Sequence, residues 1–106
     1  METSENTQPP TFILLLTYTK PLPEVDALIS DHMAWLNEHY ETGRFLVSGR
    51  RIPRTGGVII ARGVDRDEIE DLATSDPFVS RGVATVEVIG FQALRAAPGF
   101  DALLHG

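Results

Sequence analysis

Arg44 to Ala61, RFLVSGRRIPRTGGVIIA, decides the fold. It holds two runs of strand formers, Arg44 to Pro53 and Gly57 to Ala61, and the turn residues Pro53-Arg54-Thr55-Gly56 join them, so it reads as an antiparallel hairpin. Within the first run, Ser48-Gly49 is expected to mark a β-bulge, because glycine inside a strand weakens regular pairing. Upstream, Val25, Leu28, Ile29, His32, Leu36, His39 and Tyr40 recur at three- and four-residue spacing, the stripe of one amphipathic helix. Pro23 suits its first position, Glu24 and Asp26 put negative charge in its first turn, and Gly43 stops it. Before it, Thr11 to Tyr18 (TFILLLTY) reads as the first strand.

Downstream of the hairpin, Asp65 and Glu68 have capping-box spacing and open a second helix with Ile69, Leu72 and Ala73 on its core face. That helix is expected to end near Ser75-Asp76, because Pro77 disfavours helical geometry in the residue before it. Val83 to Leu94 reads as the last strand, and Pro98 to Leu104 as a final helical turn. The order β-α-β-β-α-β predicts an α+β, ferredoxin-like domain: a four-stranded antiparallel sheet with both helices on one face. Met1 to Pro10 is polar, ends in two prolines and reads as a mobile lead-in, which leaves residues 11–106 as a single domain.

The 106 residues are enough for one core, since a chain of this length buries roughly two-thirds of its unfolded surface. An apolar fraction of 42% and a charged fraction of 23% belong to a globular chain rather than a disordered one. Nine basic against fifteen acidic residues give a net charge of -6, which argues against nucleic acid or an anionic membrane as partner. RNA-recognition domains share this strand order, but they carry stacking aromatics on the central strands, and GGVIIARG has none. No apolar stretch approaches the length of a membrane span, and no signal peptide is expected. The chain has no cysteine, which excludes disulfides, thiolate nucleophiles and cysteine-based metal sites and fits a cytoplasmic protein held by packing alone.

Two helices cover only one face of such a sheet, and a solvated second face should show alternating apolar and polar residues. The first strand does not alternate: Phe12, Leu14 and Leu16 point one way, Ile13 and Leu15 the other. Val58, Ile59 and Ile60 repeat the pattern in the third strand. An apolar face of this kind is an association surface, and a two-fold homodimer with the sheets facing each other covers it. The competing reading is that the chain's own tails cover it.

His32 lies on the helical stripe, and histidine is the side chain suited by its ordinary pKa to act as base or acid near neutrality. The alternative is a core histidine with a satisfied hydrogen bond. His39 is nearer the helix C-terminus, where a surface role suits it, and its seven-residue distance from His32 does not make a metal site, so no metal is expected. Asp76 precedes proline and can cap a short helical turn, or it can orient a histidine. Arg50 and Arg51 alternate sides of their strand, so one of them faces a given cavity, where it can hold a carboxylate or phenolate bidentately; the alternative for each is an exposed charge at a strand edge. Ser48 has no nucleophile-elbow context and suits hydrogen-bond donation. Trp35 and Tyr40 read as packing residues, and Gly56-Gly57 lacks the pattern of a nucleotide-binding loop.

These residues together, His32 in DHMAWL, Gly43, Ser48-Gly49 before a hairpin, and Asp76-Pro77-Phe78 followed by Gly82, resemble the YciI-like (YCII-related) family over about Phe12 to Phe91. The resemblance implies a dimeric α+β barrel with a site built on the histidine and aspartate that match His32 and Asp76, with Ser48 drawn into it. It implies chemistry of the kind that includes chloride elimination from a chlorinated aromatic, in a superfamily with muconolactone isomerases and cofactor-free monooxygenases. The family often has proline after the Ser-Gly pair, where this chain has Arg50.

The expected function is a cofactor-free lyase- or isomerase-type enzyme acting on a small, cyclic or anionic organic molecule. His32 and Asp76 are its catalytic candidates, and Ser48, Gly49 and Arg50 its substrate-binding candidates. The alternative is a non-catalytic dimeric ligand-binding or interaction domain in which His32 and Asp76 are structural.

Overall fold

β1 (Thr11–Tyr18) is the hub of the sheet in this computed structural model, which describes residues 10–63 and 65–101. After it come α1 (Leu22–Asp26), α2 (Ile29–Glu41), β2 (Phe45–Arg50), β3 (Gly56–Arg62), α3 (Arg66–Thr74), α4 (Pro77–Ser80) and β4 (Ala84–Phe91). The strands lie in the order β2-β3-β1-β4, every neighbouring pair antiparallel. This is the ferredoxin-like α+β arrangement. Residues opposite one another in an antiparallel ladder share a face, so the pairs Leu14↔Ile59 and Leu14↔Val88 put three buried side chains under the helices. Phe12, Leu16 and Ala61 extend this layer, and Val25, Trp35, Leu36, Ile69, Ala73 and Phe78 close it from above.

The other face holds Ile13, Leu15, Val58 and Ile60, each half-buried, with Val47, Ile89 and Phe91 more open at its edges. Among the described residues no helix is long and apolar enough to cross a membrane.

Several boundaries differ from those the sequence predicts. The first helix is two helices, broken at Ala27-Leu28, where the Leu28 amide bonds to Val25 O at 2.9 Å in a tightened turn. Pro23 is consequently the second residue of α1 rather than the first of a long helix. Gly43 does stop α2, at φ +82°, a conformation that only glycine adopts readily. β4 ends at Phe91 rather than Leu94, because its last partner, Thr11, is the first residue of β1 and follows Pro10.

The bulge in β2 is not at Ser48-Gly49. It falls between Phe45 and Val47, and Ser48, Gly49 and Arg50 pair regularly with Ile59, Val58 and Gly57. Ser48 lies three positions after Phe45, so unbroken alternation would put them on opposite faces. The extra residue resets the phase, and both pair with residues of the helix-facing layer, Ala61 and Ile59.

Asp65 caps α3 by accepting the Glu68 amide at 2.8 Å, and α3 ends at Thr74 just ahead of Asp76-Pro77. Residues 1–9 of the expected lead-in lie outside the described residues. Of the expected last helical turn, residues 98–101 form a turn closed by the Phe100 amide on Ala97 O, and 102–104 lie outside the described residues.

Candidate active site

His32 occupies the second turn of α2 and Asp76 the start of α4, and the fold brings them together. His32 Nδ1 and Asp76 Oδ1 are 2.8 Å apart. Asp76 is 0% exposed and His32 16%, so the carboxylate sits behind the imidazole and the ring stands between it and solvent. The same Oδ1 accepts the Phe78 amide at 2.9 Å, which makes Asp76 both the cap of α4 and the partner of His32. The sequence left those two roles as alternatives, yet one oxygen with two lone pairs serves both. Among the described residues His32 is the only ion-pair partner of Asp76, and Oδ2 is buried without a hydrogen bond.

Two neighbours hold the pair in register. Phe78 stacks on the His32 ring at 4.0 Å between centroids and 8° between planes. One turn further along α2, Trp35 Nε1–H donates to Ser75 Oγ at 2.8 Å. Residues 32 and 35 of α2 thus grip residues 76 and 75 of the α3–α4 connection, an i,i+3 pair facing two adjacent residues. Trp35 is a packing residue, as its sequence context suggests, and also a clamp.

His32 lines a cavity of about 260 Å³ between α2 and the sheet. Ile29, Met33 and Leu36 form the rest of the helical wall, and Leu16, Ile59 and Gly57 lie in the sheet below. Ser48, Gly49 and Arg50 line the same cavity from β2, and Arg54 and Gly56 enter from the hairpin. With Nδ1 committed to Asp76, the ring nitrogen left to meet a ligand is Nε2. Arg51 is directed elsewhere, to Thr17 Oγ1 at 3.1 Å and Leu16 O at 3.5 Å.

Residues the sequence did not nominate also belong here. Tyr40, read there as packing, sits edge-on to Phe45, and its hydroxyl lies 2.6 Å from Ser48 Oγ, fixing that side chain. Its position eight residues before Ser48 carries no signal, because the contact crosses from α2 to β2. Arg54 Nη2 donates to Asp26 Oδ1 at 2.6 Å, and this hydrogen bond leads the influences that raise the guanidinium above its ordinary pKa. His39 packs edge-on to Trp35 and against Phe45, away from the Asp76 pair. Among the described residues no group of three or more His, Asp and Glu could hold a metal ion.

This arrangement can move a proton at His32 Nε2 while Asp76 holds the opposite nitrogen, and it offers hydroxyl and guanidinium donors across the cavity. Comparison with known proteins gives three findings. No curated protein matches the chain. Among solved structures it is similar to a single-site variant of SnoaB, a cofactor-independent oxygenase from Streptomyces nogalater. The two share 20% sequence identity at a TM-score of 0.49, over 87% of this chain and 99% of that one. The model of the YCII-related domain matches residues 11–92, a span that runs from β1 to just past β4 and contains His32, Ser48 and Asp76, and the chain belongs to that family.

Proposed function

We propose that the protein is an acid–base enzyme of the lyase or isomerase type acting on a small organic molecule. The observation that carries this reading is the 2.8 Å contact of a cavity-lining histidine with a fully buried carboxylate. His32 Nε2 takes a proton from a carbon or hydroxyl acid. The imidazolium that forms keeps its Nδ1–H on Asp76, whose charge stabilises it, and it returns the proton at another position or to a leaving group. Ser48, held by Tyr40, and Arg50 face the negative charge that develops on the substrate. Each of these steps is a proton movement or an electrostatic contact that the chain's own side chains supply.

The state of the His32 ring tests this. In ¹⁵N spectra of the neutral ring, Nδ1 is expected to carry the proton and Nε2 to be bare. In Asp76→Ala this assignment is lost, and the two nitrogen signals move toward the averaged values of an unconstrained histidine. If wild-type His32 carries its proton on Nε2, the base has no lone pair facing the cavity, and the non-catalytic ligand-binding reading replaces this one.

The functional unit we propose is a homodimer formed through the open sheet face, where Ile13, Leu15, Val58 and Ile60 meet their counterparts. Ile89, opposite Ile13 and 40% exposed, lies on that face, so Ile89→Glu is expected to weaken association by tenfold or more, seen by sedimentation velocity. A wild type that sediments as a monomer even at millimolar concentration removes the dimer.

A further inference from the structure

Two arginines line the cavity, and they differ in what they are bonded to. Arg54 is engaged by Asp26 at 2.6 Å, and its guanidinium lies over the Tyr18 ring at 5.9 Å. The Arg50 side chain makes no hydrogen bond or ion pair among the described residues. It stands opposite Gly57, which has no side chain to occupy the space above the strand. Among the described residues no aspartate or glutamate lines the cavity. The two carboxylates that touch its lining are both committed, Asp76 to His32 and Asp26 to Arg54. In a chain of net charge -6, a lining whose uncommitted charge is one guanidinium is complementary to a single negative charge.

The rest of the cavity narrows the class further. Leu16, Ile29, Met33, Leu36 and Ile59 present hydrocarbon. A volume of about 260 Å³ holds roughly fourteen non-hydrogen atoms at the density of an organic solid. A carboxylate matches the guanidinium fork of Arg50 with two parallel bonds and leaves the rest of the ligand to the apolar walls.

We infer that the ligand of this cavity is a small organic carboxylate with a largely apolar body, and that Arg50 is the residue that selects it. This rests on the reading of the cavity as the substrate site. It adds that the charge Arg50 meets is present on the substrate before any proton moves.

Benzoate and its neutral analogue benzamide are suitable probes, titrated into ¹⁵N-labelled full-length protein at about pH 8, where an ordinary histidine is uncharged. Benzoate is expected to shift the amides of β2 and α2 and to bind about tenfold or more tighter than benzamide. Arg50→Gln should bring the two probes to near-equal affinity, Arg50→Lys should retain part of the preference, and Arg51→Gln should leave it intact. Arg50 is exposed and unpaired, so its variants are expected to fold.

Equal binding of the two probes, no binding of benzoate up to its solubility limit, or a preference that survives Arg50→Gln overturns the proposal. The two readings fail separately. If the preference depends on Arg50 while His32 carries its proton on Nε2, the carboxylate site stands and catalysis falls. If the ring is correctly protonated and the preference is absent, the reverse holds.

Discussion

Replacing His32 by asparagine is expected to lower the rate of proton transfer by about 10²–10⁴-fold, the usual contribution of a positioned general base. Asparagine is the informative choice because its side-chain amide N–H occupies the place of Nδ1–H. The hydrogen bond to Asp76, 2.8 Å in the wild type, can therefore persist while Nε2 disappears. The buried carboxylate keeps a donor, and the larger penalty of leaving it unpaired is avoided. Histidine and asparagine have similar helix propensity, so what remains is the lost stacking on Phe78, about 1 kcal/mol of stability. The measurement is exchange of acidic C–H groups of small carboxylates into deuterated water, followed by NMR and compared between the two proteins. Exchange at equal rates in both would remove His32 as the base. A variant that loses most of its stability while exchanging normally would make the histidine a structural one.

Gly56→Ala is expected to destabilise the fold by about 3 kcal/mol or more, the upper range for forcing an atom into a packed site. Gly56 opposes Thr17 in the β1–β3 ladder, and a Cβ built on it would lie 1.8 Å from Leu16 O and 2.7 Å from Leu16 C. Both are backbone atoms of the central strand, so no rotamer change relieves the clash and the two strands must separate. Gly49→Ala is the control. Nothing lies within 4 Å of its Cβ, so it should fall within about 1 kcal/mol of wild type. Urea denaturation distinguishes the two through the midpoint at constant slope. An unchanged midpoint in Gly56→Ala would mean that the strands at Leu16 approach less closely than this. Gly56 also lines the cavity beside Arg54, so a splayed ladder should weaken ligand binding as well.

How far the sequence reaches is best seen at particular residues. The succession of strands and helices along the chain, the first strand from Thr11 to Tyr18, the end of α3 before Pro77 and the Gly43 stop were all legible, because local chemistry dictates each. Proline and glycine act on their own backbone, and apolar periodicity records which face a segment buries. His32 was legible as a candidate because an ionisable ring on an apolar helical stripe is unusual enough to notice. Its partner was only half legible: Asp76 before proline announces a cap, and a carboxylate that caps shows no further sign that it also faces a histidine forty-four positions away.

Local sequence specifies the succession of strands and helices and the residue types available for proton chemistry, but not the break between α1 and α2. Tertiary structure alone decided which of those residues meet. The bulge is the clearest case, because a single extra residue between Phe45 and Val47 reverses the alternation of everything after it in β2. That shift puts Ser48 and Arg50 into the cavity with His32, and Arg51 turns instead to Thr17. Whether an extra residue is accommodated there depends on the partner strand and on the packing of Phe45 against Trp35, His39 and Tyr40 from α2. Those contacts form between distant parts of the chain, and the free energy that chooses one register over its neighbour comes from burying that whole layer at once.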